Sequence, residues 1–340
     1  MIDKAVDHLI QNACPSISMR TREEIRKERI SKEKKKEYKQ AILSGEKINL
    51  VLNRQTPDGY FGTRFHTASS TSKDWSHEGC VRYLLEMGLG LDCNPLKKAL
   101  DALLVPGWNR ECKGSAADAF GYGMIRASLF AQAGLHDHDF VREWTESALQ
   151  GFRNVAEASD YGDIAVPYKG KVVFAEGKYL PTIYHLRILA FTDGWRTPEN
   201  ITMMEKAYQN LYEWLPFPPT HIKAKHQLVA PGGNIAGAFN QNIDEGLGLW
   251  WFYFYELSAR CGMLGTESPF YLHLLVLIES LNKTNGFFTE KYNRRGYDVW
   301  SGYSGLALED SWVKHERRRR IYDLTFRCAL IDAISKESGS

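Results

Sequence analysis

The sequence predicts an all-α protein built from stacked helix pairs, and three observations predict it. A unit at residues 55–104 reads as a glycine-aromatic turn, a helix, a short loop and a second helix; its helix-loop-helix part returns in looser form three times downstream. Each unit carries a loop glycine, at Gly88, Gly134, Gly194 and Gly262, at intervals of 46, 60 and 68 residues. Periods of this size belong to helix pairs that share one core. Within the units, apolar residues recur at helical spacing.

In chain order, residues 1–20 carry little pattern. Thr21 to Ser44 reads as one helix, opened by a Thr21–Glu24 capping box and rich in charge, with nine Lys or Arg against five Glu from Arg22 to Lys39. This stretch reads as a solvated face with i,i+4 ion pairs; the sharper alternative is a basic surface for phosphate, nucleic acid or anionic lipid. It lacks the interleaved aromatics of a single-strand binder. Residues 1–46 are accordingly an N-terminal charged helical arm, and 47–340 a single domain.

The first unit places Val81, Leu84 and Leu85 on a helix over residues 74–88. A second helix enters through Pro95 and carries Leu96, Ala99, Leu100, Leu103 and Leu104. The next pair is 117–133 followed by a helix with Val141, Trp144, Ala148 and Phe152. Then come 181–191 with Met204, Tyr208, Leu211 and Leu215, and 244–260 with Phe270, Leu274, Leu277 and Leu281. A closing helix carries Ile321, Leu324, Cys328 and Ile331 on one face. Two stretches interrupt the pattern: 155–178, with a short β-hairpin expected at Tyr168–Ala175, and 216–241, which reads as a long irregular loop of the kind that serves binding.

Hydrophobic residues at 44% and charged residues at 25% are ordinary for a globular chain. A net charge of +2 argues against a polyanion binder acting through its whole surface. Six scattered cysteines without CxxC spacing, and no signal peptide, point to reduced thiols in a cytoplasm. The run GLGLWWFYFYELSA meets Glu256 too soon to span a bilayer and reads as a buried inner helix.

The turn QTPDGYFG, the helix ending in LGL, the following KKALDALL and the closing RRRRIYDLTFRCALIDA resemble the squalene and terpenoid cyclases and the protein prenyltransferase β subunits. The likeness runs over roughly residues 47–335 at the level of the repeat. It implies an α/α toroid in which inner helices ring a central cavity. In such a ring the polar and aromatic starts of the inner helices converge. The candidate catalytic residues are then Glu78, Asp244, Glu245 and His185. The candidate substrate-binding residues are Trp75, His77, Phe120, Tyr122, Tyr184, Trp250 and Trp312.

No DxDD acid and no DDxxD magnesium motif is present, so the reaction stays unassigned, whether lyase, isomerase or transferase. Neither is there a GxGxxG, a GxxxxGK[ST] or a GxSxG motif. Cys80 with His77, and His221 with His226, are the nearest approaches to a metal pair, and each lacks its second half; no cofactor is assigned. The expected function is an enzyme acting on an apolar or isoprenoid-like small molecule in its cavity. Two alternatives stand beside it: a noncatalytic helical-repeat protein that binds a peptide or protein, and a nucleic-acid binder using the basic arm.

Overall fold

The computed structural model describes residues 2–66, 76–110, 121–224, 227–235, 249–265, 268–284, 286–288, 307–309 and 317–338. These residues form thirteen α-helices and one four-stranded sheet, so the chain is mostly helical but not all-α.

The N-terminal region departs from expectation. Helix α1 (Ile2–Asn12) is followed by α2 (Pro15–Arg20), which runs directly into a π-helical turn, Thr21–Ile25. Thr21 is therefore interior to a helix that starts at Pro15, and the predicted Thr21–Glu24 capping box does not form. Pro15 takes the first turn, where its missing N–H costs nothing. The chain leaves the helix after Arg26, with Lys27 at φ +54°. Helix α3 (Lys32–Leu43) begins afresh, its first turn capped by the Ser31 hydroxyl, which accepts from the Lys34 N–H at 3.2 Å.

Helix α4 (Glu46–Leu52) leads into the glycine-aromatic turn. The Gln55 amide donates to the carbonyls of Gly59 (2.9 Å) and Pro95 (2.8 Å), tying the turn to the next helix pair. Gly59 sits at φ +89°, and a Cβ there would lie 2.3 Å from the Lys98 carbonyl oxygen. Only glycine permits this approach. Helix α5 (His77–Glu86) is capped by Ser76, and α6 (Asn94–Asp101) opens with Pro95 in its first turn. The predicted second helix runs three residues too far: α6 stops at Asp101, and Leu104 is 46% exposed.

Then follow α7 (Tyr122–Gln132), α8 (Asp139–Glu157), α9 (Ile183–Ala190), α10 (Pro198–Glu213), α11 (Leu249–Arg260), α12 (Pro269–Lys283) and α13 (Arg317–Ser338). Helix α5 packs on α7, α7 on α9, α9 on α11, and α11 on α13; α8 lies behind α7, α9 and α10. Helix α1 and the π turn pack on α13. Leu9, Ile17 and Met19 of the first 46 residues belong to the same core as Leu84, Leu186, Phe252 and Leu330. Helix α13 was expected to be apolar on one face. From Tyr322 to Leu330 every side is buried, Asp323 and Arg327 included, because other helices surround it.

A hairpin forms, starting three residues earlier than expected, as β1 (Ala165–Tyr168) and β2 (Lys171–Phe174), antiparallel, with Tyr168 opposite Lys171. Lys169 and Gly170 turn at φ +47° and +75°, the left-handed pair that suits a two-residue hairpin. The predicted irregular loop over 216–241 instead supplies β3 (Thr220–Ala224) and β4 (Gln227–Val229). Strand β3 pairs parallel to β2 and antiparallel to β4. Thr220 and Ile222 are β-branched at alternate positions, a signal overshadowed by Pro216, Pro218 and Pro219. Among the described residues no helix is long and apolar enough to cross a membrane.

Candidate functional site

The N-terminal turns of α5, α7 and α9 meet around His66, which lies just beyond the glycine-aromatic turn. The His66 Nδ1–H donates to Glu78 Oε2 at 2.6 Å, and the Glu78 side chain is 1% exposed. The His66 ring lies 5.9 Å from Tyr122 and 6.3 Å from Tyr184, centre to centre, both edge-on. Glu78 Oε1 lies 3.9 Å from Arg187 Nη1 and has no hydrogen-bond donor among the described residues. Burial opposes ionisation of Glu78, but the pairing with His66 and the charges of Arg187 and Arg82 outweigh it, so its carboxyl stays below the ordinary value.

Arg187 stands one turn beyond Tyr184 on α9, so both reach the same region. Its Nε donates to the Tyr253 hydroxyl at 2.5 Å and its Nη1 to Ser128 Oγ at 3.2 Å. Its guanidinium lies 5.1 Å from the Tyr184 ring centre and 5.2 Å from that of Tyr253. Burial pushes the Tyr253 phenol up, against the pull of Arg187 and Arg82.

A ladder of charge continues inward. Glu78, Arg82 and Glu86 form a stripe at i, i+4 and i+8 on α5. Arg82 bonds Glu86 at 2.8 Å and covers Tyr253 at 4.7 Å. Arg327 on α13 reaches Glu86 (3.3 Å), Glu256 (3.7 Å) and Asp323 (3.5 Å), joining α13 to α5 and α11. Arg260 contacts Glu24 (2.7 Å) and Glu256 (3.0 Å), and Arg20 contacts Glu24 (2.5 Å) and Glu256 (3.7 Å). Arg20, Arg82, Arg187, Arg260 and Arg327 thus face Glu24, Glu78, Glu86, Glu256 and Asp323. Eight of these ten side chains are buried, and Glu24 and Arg260 are partly exposed; a buried charge of either sign is tolerable only with a partner.

Of the predicted site residues, the structure brings Glu78, Tyr122 and Tyr184 together. It gives His77 a different setting. There the Phe61 N–H donates to Nδ1 (2.9 Å), Nε2–H donates to the Ala99 carbonyl (3.1 Å), and Tyr60 stacks on the ring at 4.1 Å. Burial drives its pKa down to about 3. With both nitrogens engaged, His77 has no lone pair for a metal beside Cys80, whose buried thiol is pushed up to about 12. His185 sits in the capping box of α9, its Nδ1 accepting from the Thr182 N–H at 3.2 Å. Burial lowers its pKa to about 4, and its Nε2 has no partner among the described residues. No hydrogen bond links it to Glu78 or His66. Trp75, Phe120, Asp244, Glu245 and Trp312, together with the Trp250 side chain and His226, lie outside the described residues.

Sequence reasoning missed His66, Arg82 and Tyr253 and the whole inner network. A signal was available: Arg20–Glu24, Arg82–Glu86, Glu256–Arg260 and Asp323–Arg327 are all i,i+4 pairs of opposite charge. Around the basic arm, by contrast, the ion pairs mostly bridge elements: Arg26 to Asp3 and Asp7, Lys27 to Glu337, Lys35 to Glu23, and Lys39 to Asp92.

Among the described residues no group of three or more His, Cys, Asp or Glu is arranged to hold a metal ion. No family model matches the chain, and neither the curated proteins nor the solved structures contain a match to it.

Proposed function

We propose that the chain is an enzyme of the terpenoid-cyclase-like α/α-toroid class that acts on an apolar or isoprenoid-like small molecule, with His66 and Glu78 as its proton-transfer pair. The observation that carries the reading is the buried Glu78 carboxylate. One oxygen holds His66 and the other has no hydrogen-bond donor among the described residues, beside the rings of Tyr122 and Tyr184. Leaving such an oxygen unpaired costs about 1–3 kcal/mol, and a ligand O–H or N–H would recover it. Support for the closed ring comes from α5, α7, α9, α11 and α13 packing in succession, with Arg327 of the last bonded to Glu86 of the first.

In this reading Glu78 holds His66 through Nδ1 and fixes the tautomer, so that Nε2 is the nitrogen that gives or takes the proton. Tyr122 and Tyr184 wall the substrate. Arg187 stays pinned by Tyr253 and Ser128 and, after His66, helps to hold Glu78 ionised.

The test is a panel of isoprenoid alcohols, isoprenoid diphosphates and linear polyenes, with products read by gas chromatography and mass spectrometry. The parent protein should convert at least one of them. Glu78→Gln and His66→Phe should each lower turnover by about 100-fold or more, with the far-ultraviolet spectrum unchanged. Full turnover in both variants, or neither conversion nor saturable binding of any compound by the parent, would overturn the reading.

A further inference from the structure

The basic stretch that the interior site leaves unused has a shape of its own. Lys32, Lys35, Lys36 and Lys39 fall at i, i+3, i+4 and i+7 of α3, on one face of the helix. Together with Gln40, Leu43, Leu89, Asp92 and Cys93 they line a surface groove of about 500 Å3. The lysines are not equivalent. Lys35 is bonded to Glu23 at 2.6 Å and Lys39 to Asp92 at 2.6 Å, whereas Lys32 and Lys36 have no carboxylate partner among the described residues. The groove therefore carries two ammonium groups one helical turn apart without a carboxylate partner among the described residues, alternating along α3 with two that are ion-paired. Its floor is apolar, made by buried Leu89 and half-buried Leu43.

We propose that this groove binds an organic diphosphate, its phosphates between Lys32 and Lys36 and its organic part on Leu43 and Leu89. Two ammonium groups one turn apart, about 5–6 Å between Cβ atoms, match an anion with two linked charged groups better than a single carboxylate. A volume of this size is in the range of small-molecule sites. A nucleic acid would want a longer basic track. An acidic peptide would want a run of cationic side chains, and here two of the four lysines are already held by Glu23 and Asp92.

The experiment is calorimetric titration of the full-length protein at low ionic strength, with inorganic pyrophosphate and with a nucleoside diphosphate as probes. The parent should bind both, the nucleoside diphosphate more tightly. The double variant Lys32→Gln/Lys36→Gln should weaken both by about tenfold or more. Leu43→Ser should erase the preference for the organic probe while pyrophosphate affinity stays. Lys169→Gln/Lys171→Gln, on the exposed hairpin, should change neither. Glu78→Gln should also leave both affinities unchanged, which separates this site from the interior one. The proposal is overturned by absence of pyrophosphate binding, by equal losses in the two lysine pairs, or by tighter binding of a single-stranded oligonucleotide or polyglutamate through the same lysines.

Discussion

His77 and Glu78 are neighbours in sequence with opposite physical settings. Glu78 keeps its charge because His66, Arg187 and Arg82 stand close, whereas His77 loses its charge because burial outweighs the bond to the Ala99 carbonyl. The consequence for stability has a definite sign. The unfolded chain protonates His77 near its ordinary value of 6.5, and the folded chain resists until about pH 3. Its contribution is complete above about pH 6.5 and falls as the pH drops toward 3. His185, lowered to about 4, acts in the same direction. Urea titrations at pH 7.5 and 5 should show the parent losing stability on acidification. His77→Ala should be less stable at pH 7.5 by about 2–4 kcal/mol and should show a shallower loss between the two pH values. An unchanged slope would mean that the imidazole titrates freely. The sequence put a histidine and a glutamate in the first turns of a helix expected from residue 74, and the helix starts at His77. The sequence could not show which would meet a cation, because that depends on Arg187, more than 100 residues away.

At the scale of elements, the helix pairs were legible because apolar spacing, Pro95 and the loop glycines are local signals. Gly88, Gly134 and Gly262 do take positive φ at +83°, +77° and +81°. The sheet was half legible: the hairpin turn is local, whereas the parallel pairing of β2 with β3 joins residues 48 positions apart. Helix α13 was misread as one-sided because Asp323 and Arg327 look solvent-facing in a list of residues. In the fold they lie i,i+4 inside the core, 3.5 Å apart, with Arg327 bonded to Glu86 and close to Glu256, and with Asp323 accepting from the Leu308 N–H at 2.7 Å. Breaking one partner of such a set strands the others. Arg327→Met should destabilise by about 3–5 kcal/mol, read as a lower urea midpoint with the slope unchanged. A loss under about 1 kcal/mol would mean that water reaches Glu86.

For the whole molecule, the N-terminal segment carries more than its arm-like composition suggests. The Arg20 guanidinium donates to the Glu86 carbonyl at 2.9 Å, and Glu24 accepts from Arg260 at 2.7 Å. A chain beginning at Lys47 should therefore unfold at a lower temperature and with a broader transition, because Arg260 loses Glu24 and the α13 surface under α1 opens to water. An unaltered calorimetric transition would make residues 1–46 an independent appendage. By itself, the sequence determined the succession of helix pairs, the glycine-aromatic turn and the basic face of α3, since each depends on residues within a few turns of one another. Tertiary structure alone decided that four i,i+4 ion pairs meet in one network, two of them fully buried, that His66 meets Glu78, and that a proline-rich loop adds two strands. Each of those rests on contacts between segments far apart in the chain, and burial of a charge is tolerable only where distant partners arrive to balance it.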